Sequence, residues 1–114
     1  MDRRHRLNRS QDVRRVRSSG RSVADPHAVL VTRRNDLGRS RFAVGAARGL
    51  GGAVRRNRAK RRLRSALHSL TPRIAPGWDL VLLAREPAET AGWPELLEAV
   101  SGLCRRAGVL TENA

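Results

Sequence analysis

Asn57, Lys60, Arg61 and Arg64 stand at positions i, i+3, i+4 and i+7, and Arg55, Arg58 and Arg62 fill the adjoining sector of the same helical wheel. The surrounding run, residues 53–64, reads AVRRNRAKRRLR and holds seven basic side chains, one asparagine and no acid. Positive charge at this density opposes folding unless a polyanion neutralises it, so the run points to a partner rather than to a core. The chemistry on offer is phosphate recognition. An arginine fork donates two hydrogen bonds to a phosphate and stacks on a base, whereas lysine offers a point charge. Two such faces could meet two stretches of RNA. Arg56 falls within the apolar range of the wheel and is expected near the helix start, projecting past the sheet; Val54 lies opposite the apolar stripe.

Catalytic constellations are harder to assemble. His5, His27 and His68 are scattered, and no cluster of His, Cys, Asp and Glu has the spacing of a metal site. Paired carboxylates for two metal ions are difficult to place beside a run that lacks acids. GLGG at 49–52 has neither the Walker lysine nor dinucleotide spacing and reads as a turn that lets backbone approach RNA or a neighbouring strand. The single cysteine, Cys104, sits in an apolar helical pattern and reads as a buried structural thiol.

Charge is distributed unevenly. The chain carries 24 Lys and Arg against 10 Asp and Glu, a net charge of +14. Residues 1–78 hold 21 basic and 4 acidic side chains, a net of +17, while residues 79–114 have 3 and 6, a net of −3. Residues 37–78 contain no acid, so one region of the surface should be strongly positive. Arg accounts for 23 of the 24 basic residues, a bias that genome composition also produces and that carries little functional weight. Arg3, Arg4, Arg85 and Arg106 read as solvated surface charges. The longest apolar run, residues 80–84, is far too short to span a bilayer, so no membrane partner and a cytoplasmic location are expected.

The elements that position the basic run follow from periodicity. At 114 residues the chain is expected to form one RNA-binding domain over residues 1–114. A short amphipathic helix is predicted over 10–19, with Ser10 as N-cap, Val13 and Val16 facing inward and Gly20 ending it. Strands are predicted at 27–32 and 41–46, joined through Asn35, Asp36 and Gly38 as an antiparallel hairpin, with a shorter strand near 21–24. The basic helix continues to about Leu70, where Pro72 and Pro76 close it. Its stripe of Ala59, Leu63, Ala66, Leu67 and Leu70 suits packing on a sheet. DLVLLAR at 79–85 reads as a central strand covered on both sides. Leu96, Leu97, Val100, Leu103 and Cys104 place a last helix from about 93 or 94 to 107. This order predicts an α+β sandwich, helices against a mixed sheet.

With its surroundings, GLGGAVRRNRAKRRLRSAL resembles the signature of the bacterial ribonuclease P protein family, approximately GNAVxRNRxKRxxR. Gly51, Ala53, Val54, Arg56, Asn57, Arg58, Lys60, Arg61 and Arg64 match it. The likeness extends to Arg6 and Leu7, the spacing to Asp12 and Val16, GRSV at 20–23, VLV at 29–31 and DLVLLAREPA at 79–88. The resemblance implies a compact two-layer αβββαβα fold with a left-handed βαβ crossover. It further implies a partner ribonuclease P RNA, one protein per RNA, which removes the 5′ leader of precursor tRNA. The resemblance also implies that Mg²⁺ acts through that RNA and that the protein supplies no catalytic residue. Carried onto this chain, the RNA contacts are Arg55, Arg56, Asn57, Arg58, Lys60, Arg61, Arg62 and Arg64. A leader cleft between the first helix and the sheet is assigned to Val13, Arg14, Arg17, Val31 and Phe42.

The chain departs from the family pattern at several points. Gly52 replaces the asparagine of the GNAV element, and the usual basic pair before it is Arg48 and Gly49. Val13, Arg17 and Val31 stand where aromatics are common, and Phe42, Trp78 and Trp93 are the chain's only aromatics. Stacking on leader bases should therefore be weaker, with Arg14 and Arg17 supplying phosphate contacts instead. Charge and size alone would equally suit a structural RNA-binding protein such as a small ribosomal component; the motif context separates the two. A nonspecific DNA-binding protein fits less well, because the basic helix forms one layer of a sandwich rather than a projecting recognition helix.

Overall fold

The computed structural model describes residues 5–111; Arg3 and Arg4 lie outside them. The element order is α1 (Ser10–Ser19), β1 (Arg21–Ala24), β2 (Ala28–Arg34), β3 (Arg41–Ala46), α2 (Ala53–Leu70), β4 (Trp78–Ala84) and α3 (Trp93–Ala107). Short 3-10 turns at Thr71–Arg73 and Glu86–Glu89 flank β4. This is the α+β order expected from periodicity.

The four strands form one mixed sheet in the order β1-β2-β4-β3. β1 and β2 are the antiparallel neighbours in sequence, and β4 lies between β2 and β3, antiparallel to the first and parallel to the second. The expected hairpin between β2 and β3 is therefore not formed. A hairpin turn closes one inter-strand spacing of about 4.8 Å, and residues 35–40 cross two. Asn35 builds that longer crossing: its Oδ1 accepts from the Leu37 backbone N–H at 2.9 Å, and its own backbone N–H donates to the Gly77 carbonyl at 2.8 Å. The parallel pair β3 and β4 requires a crossover, and α2 supplies it.

β4 is central, as its continuous apolar run predicts, and Leu80, Val81, Leu82 and Ala84 are all buried. Its alternation sorts the core into two clusters. Leu80 and Leu82 join Leu30 and Phe42 against the α2 stripe, where Ala59, Leu63, Ala66 and Leu67 are fully buried, and against Leu96, Val100 and Cys104 of α3. Val81 faces the other way, with Val31, Val16 and Leu7. Thus α2 and α3 make one layer on the sheet, and α1 crosses its opposite face.

The start of α1 differs in one detail from the reading of Ser10. Arg9 occupies the N-cap with extended backbone and no side-chain cap, and Ser10 is the first helical residue. Gly20 does end the helix, but its φ of −81° needs no glycine. The requirement is space. A Cβ there would lie 2.5 Å from the Val16 carbonyl oxygen and 2.6 Å from that of Thr32, so only glycine lets α1 turn this closely onto β2.

Candidate nucleic-acid interface

α2 begins after a turn in which Gly49 takes φ of +94°, a left-handed conformation that favours glycine, while Leu50 plugs into the core. Gly52 caps the helix through backbone alone. No acid lies in the first turn, so nothing on the helix itself offsets its cations. Ala59 is the first buried residue of α2, and the first six positions, Val54 at 73% exposure among them, stand in solvent. Arg56 is exposed in that segment, as its awkward place on the wheel predicts.

The two cationic sectors meet different surroundings. Asn57, Lys60, Arg61 and Arg64 line one shallow depression with Val54. None of these four is in an ion pair among the described residues. A second depression adjoins the first at Arg64 and continues along the β3 edge past Arg6, Asn8, Ala43 and Val44.

Arg55, Arg58 and Arg62 instead face the turn at Glu86–Glu89. Arg55 Nε donates to Glu89 Oε1 at 2.7 Å, Arg58 Nη1 lies 3.5 Å from Glu89 Oε2, and Arg55 Nη2 lies 3.6 Å from Glu86. Arg62 donates from Nη1 to the Ala88 carbonyl at 2.8 Å and from Nη2 to that of Ala91. Arg62 is thus directed into the protein, where it ties the turn to the helix. The sequence shows no acid near the basic run; the fold brings two, because β4 returns the chain beside α2.

On the α1 side of the sheet, register defines two rows. Val31, Val81 and Ala43 pair across the strands in one, and Val29, Leu83 and Gly45 in the next. Val31 and Val81 are buried with Val16 of α1, whereas Val29, Leu83 and Gly45 remain half-exposed. The open floor beside α1 is therefore the second row, and Val31 lies beneath the helix. Val13 is partly buried against the same cluster, and Arg14 and Arg17 are exposed on α1. Phe42 packs in the cluster with α2 and α3, because position 42 alternates away from Ala43. The strand period carried the signal for Val29 and Leu83, which share their faces with Val31 and Val81.

α1 is fixed at its first turn by charge. Arg41 Nε and Nη2 donate to the two oxygens of Asp79 at 2.9 and 2.8 Å, and Nη1 lies 3.5 Å from Asp12 on α1. Burial alone would raise the Asp79 pKa, but hydrogen bonds from Arg41 and Asn35, with the positive charges of Arg41 and Arg33, outweigh it and hold the carboxyl below its ordinary range. The Asp79 bond in turn raises the Arg41 pKa.

Among the described residues, no group of three His, Cys, Asp or Glu side chains is placed to hold a metal ion. Arg85 and Arg106 are exposed, each donating to a backbone carbonyl, of Asp25 and Ala24 respectively. Cys104 is buried, and desolvation pushes its thiol up to about 11. No helix among the described residues is long and apolar enough to cross a membrane.

A family model for ribonuclease P matches residues 1–108. The chain belongs to the ribonuclease P protein family. Relatives named ribonuclease P protein component include one from Roseiflexus castenholzii, 42% identical over 111 residues that cover 96% of this chain and 91% of the relative. Another, from Herpetosiphon aurantiacus, is 38% identical and covers 94% of this chain and 87% of its own. The fold superimposes on the RNase P protein of Staphylococcus aureus with a TM-score of 0.80 at 26% identity, over 94% and 98% of the two chains. The Thermotoga maritima RNase P protein, solved with 1-(4-fluorophenyl)-2-thiourea, gives 0.77 at 28% identity over 89% and 98%. As a ribonuclease P protein, the chain is a component of a ribonuclease complex that acts in tRNA processing, and ribonuclease P RNA is its implied partner.

Proposed function

We propose that this chain binds ribonuclease P RNA through the Asn57, Lys60, Arg61 and Arg64 face of α2. We further propose that it receives the 5′ leader of precursor tRNA over the half-exposed Val29, Leu83 and Gly45 row beside α1. The observation that carries the reading is the cationic face of α2, without an ion pair among the described residues, set in a family-matched fold at the edge where that row ends. Phosphates supply the counter-charge that this face lacks. Arg14 and Arg17 would meet leader phosphates, and the apolar floor would contact sugars and bases without aromatic stacking.

Hydrolysis in this reading belongs to the RNA, with Mg²⁺ held there. The protein's donor set favours that division: α2 is cationic, and the carboxylates nearest to it, Glu86 and Glu89, are engaged by Arg55 and Arg58. The protein's part is to lower phosphate repulsion, so that substrate and RNA reach their working arrangement at modest Mg²⁺. One protein would act per RNA, in the cytoplasm.

The test is cleavage of a leader-bearing precursor tRNA by the ribonuclease P RNA of the same genome at low Mg²⁺, with and without the protein. A large gain, lost in the Arg61→Ala, Arg64→Ala double variant, is expected. RNA binding without any gain in cleavage would instead support a purely structural role. For the leader, Arg17→Ala should weaken binding of leader-bearing substrate while leaving leaderless tRNA unaffected; equal affinity for the leader-bearing form would remove Arg17 from the cleft.

A further inference from the structure

The second cationic sector of α2 is built differently from the first. Glu89 lies at the end of a 3-10 turn and its side chain is only 6% exposed, whereas the Arg55 and Arg58 side chains that reach it are 49% and 56% exposed. The turn cannot drift from the helix, because Arg62 holds the Ala88 and Ala91 carbonyls. Each guanidinium has five N–H donors, and the contacts to Glu89 and Glu86 leave several on both arginines facing solvent.

We infer that Glu89 is a positioning residue that holds Arg55 and Arg58 as a pre-set pair for an RNA phosphate. The inference rests on the RNA-binding reading of α2 and deepens it. A carboxylate beside a polyanion site invites the opposite interpretation, a competitor that RNA must displace. Burial decides between them: displacement would strand a desolvated carboxylate without its cations, a costly state. Shared donors avoid that cost, since Nε of Arg55 can stay on Glu89 while its outer nitrogens meet phosphate. Two long side chains already held in place lose less rotamer freedom on binding.

The two interpretations differ in sign. Removing Glu89 adds positive charge, so simple electrostatics predicts tighter RNA binding. Positioning predicts weaker binding. The experiment measures affinity for ribonuclease P RNA at fixed salt for the wild type, Glu89→Ala and Glu89→Gln, each also placed in an Arg55→Ala, Arg58→Ala background. Melting curves establish that every variant is folded at the assay temperature. Glu89→Ala should bind about fivefold more weakly than the wild type. Glu89→Gln keeps the shape and an acceptor for Arg55 Nε, so it should lose less and serves if the alanine variant does not fold. Neither change should have a further effect once Arg55 and Arg58 are gone. Tighter or unchanged binding by both variants would overturn the inference, as would an equal loss in the two backgrounds, which marks general damage to the fold. A wild-type protein that fails to bind the RNA would instead overturn the functional reading, and this inference with it.

Discussion

Arg41 on β3 and Asp79 on β4 meet in a two-pronged ion pair of 2.9 and 2.8 Å, half-buried where α1 begins its crossing of the sheet. Asp79 is 4% exposed and also accepts from Asn35 Nδ2 at 2.8 Å, so the pair joins the β3–β4 register to the loop that crosses β4. Through its third nitrogen, Arg41 reaches Asp12, tying α1 to the same point. Asp79→Asn leaves Arg41 with only its longer contact to Asp12 and should cost about 3 kcal/mol in urea denaturation. A loss below about 1 kcal/mol would show that the pair contributes little beyond the packing around it.

The same pair gives stability a pH dependence of defined sign. Asp79 titrates lower in the folded protein than in the unfolded chain, so its contribution is complete above the unfolded carboxylate pKa, about 3.9. That contribution fades as pH falls through the lower folded value. Arg41 is shifted upward from an already high value, so its contribution is lost only at strongly alkaline pH. Denaturation midpoints measured from pH 7 to pH 2 should fall below about pH 4, and Asp79→Asn should flatten part of that fall. Parallel curves for the two proteins would assign the acid sensitivity to other carboxylates.

Gly20→Ala should destabilise through crowding, since the added methyl would meet the Val16 and Thr32 carbonyls and the Val31 side chain, 2.9 Å away. An overpacked site of this kind costs about 2 kcal/mol, and the cheapest relief is for α1 to lift from the sheet. Faster hydrogen exchange confined to α1 is the expected signature. Uniform exchange rates with unchanged melting would mean that the chain absorbs the methyl elsewhere.

Salt dependence reports the phosphates that α2 neutralises. For Arg61→Ala, Arg64→Ala the slope of log affinity for ribonuclease P RNA against log salt should become shallower by about two, one for each cation removed. Arg62→Ala should leave the slope nearly unchanged and lower stability, because its guanidinium is spent on the Ala88 and Ala91 carbonyls. A slope change for Arg62→Ala equal to that of a single Arg61→Ala would place Arg62 on the RNA after all.

Cys104 should resist thiol reagents at pH 8, with its thiol pushed up to about 11 and buried between α3 and the sheet. Labelling should rise only in denaturant, making it a probe of global unfolding. Rapid labelling of the native protein would reveal local opening of α3.

The helices were legible in the chain because a 3.6-residue period writes both faces into local order. The stripe from Ala59 to Leu70 is buried, and the cations between its members are turned away from it. The run of β4 likewise announced a strand covered on both sides, and the motif from Gly51 to Arg64 announced the family. Strand order was not legible. β2 and β3 look like hairpin partners because they are consecutive, yet pairing is settled by which neighbour buries more surface, and the α2 crossover slips β4 between them.

The site divides along the same line. The sequence by itself determined the density of positive charge and its separation into two helical sectors, since both follow from residue type and helix period. Only the tertiary structure decided which sector meets carboxylates. Glu89 is 34 residues from Arg55 and becomes its partner when β4 carries the Glu86–Glu89 turn alongside α2. Likewise, strand alternation sends Phe42 to the α2 side and leaves Val29 and Leu83 half-open beside α1. Charge and periodicity are properties of neighbouring residues. Which charges are neutralised and which apolar rows are covered depend on contacts between distant segments, and those exist only once the sheet has formed.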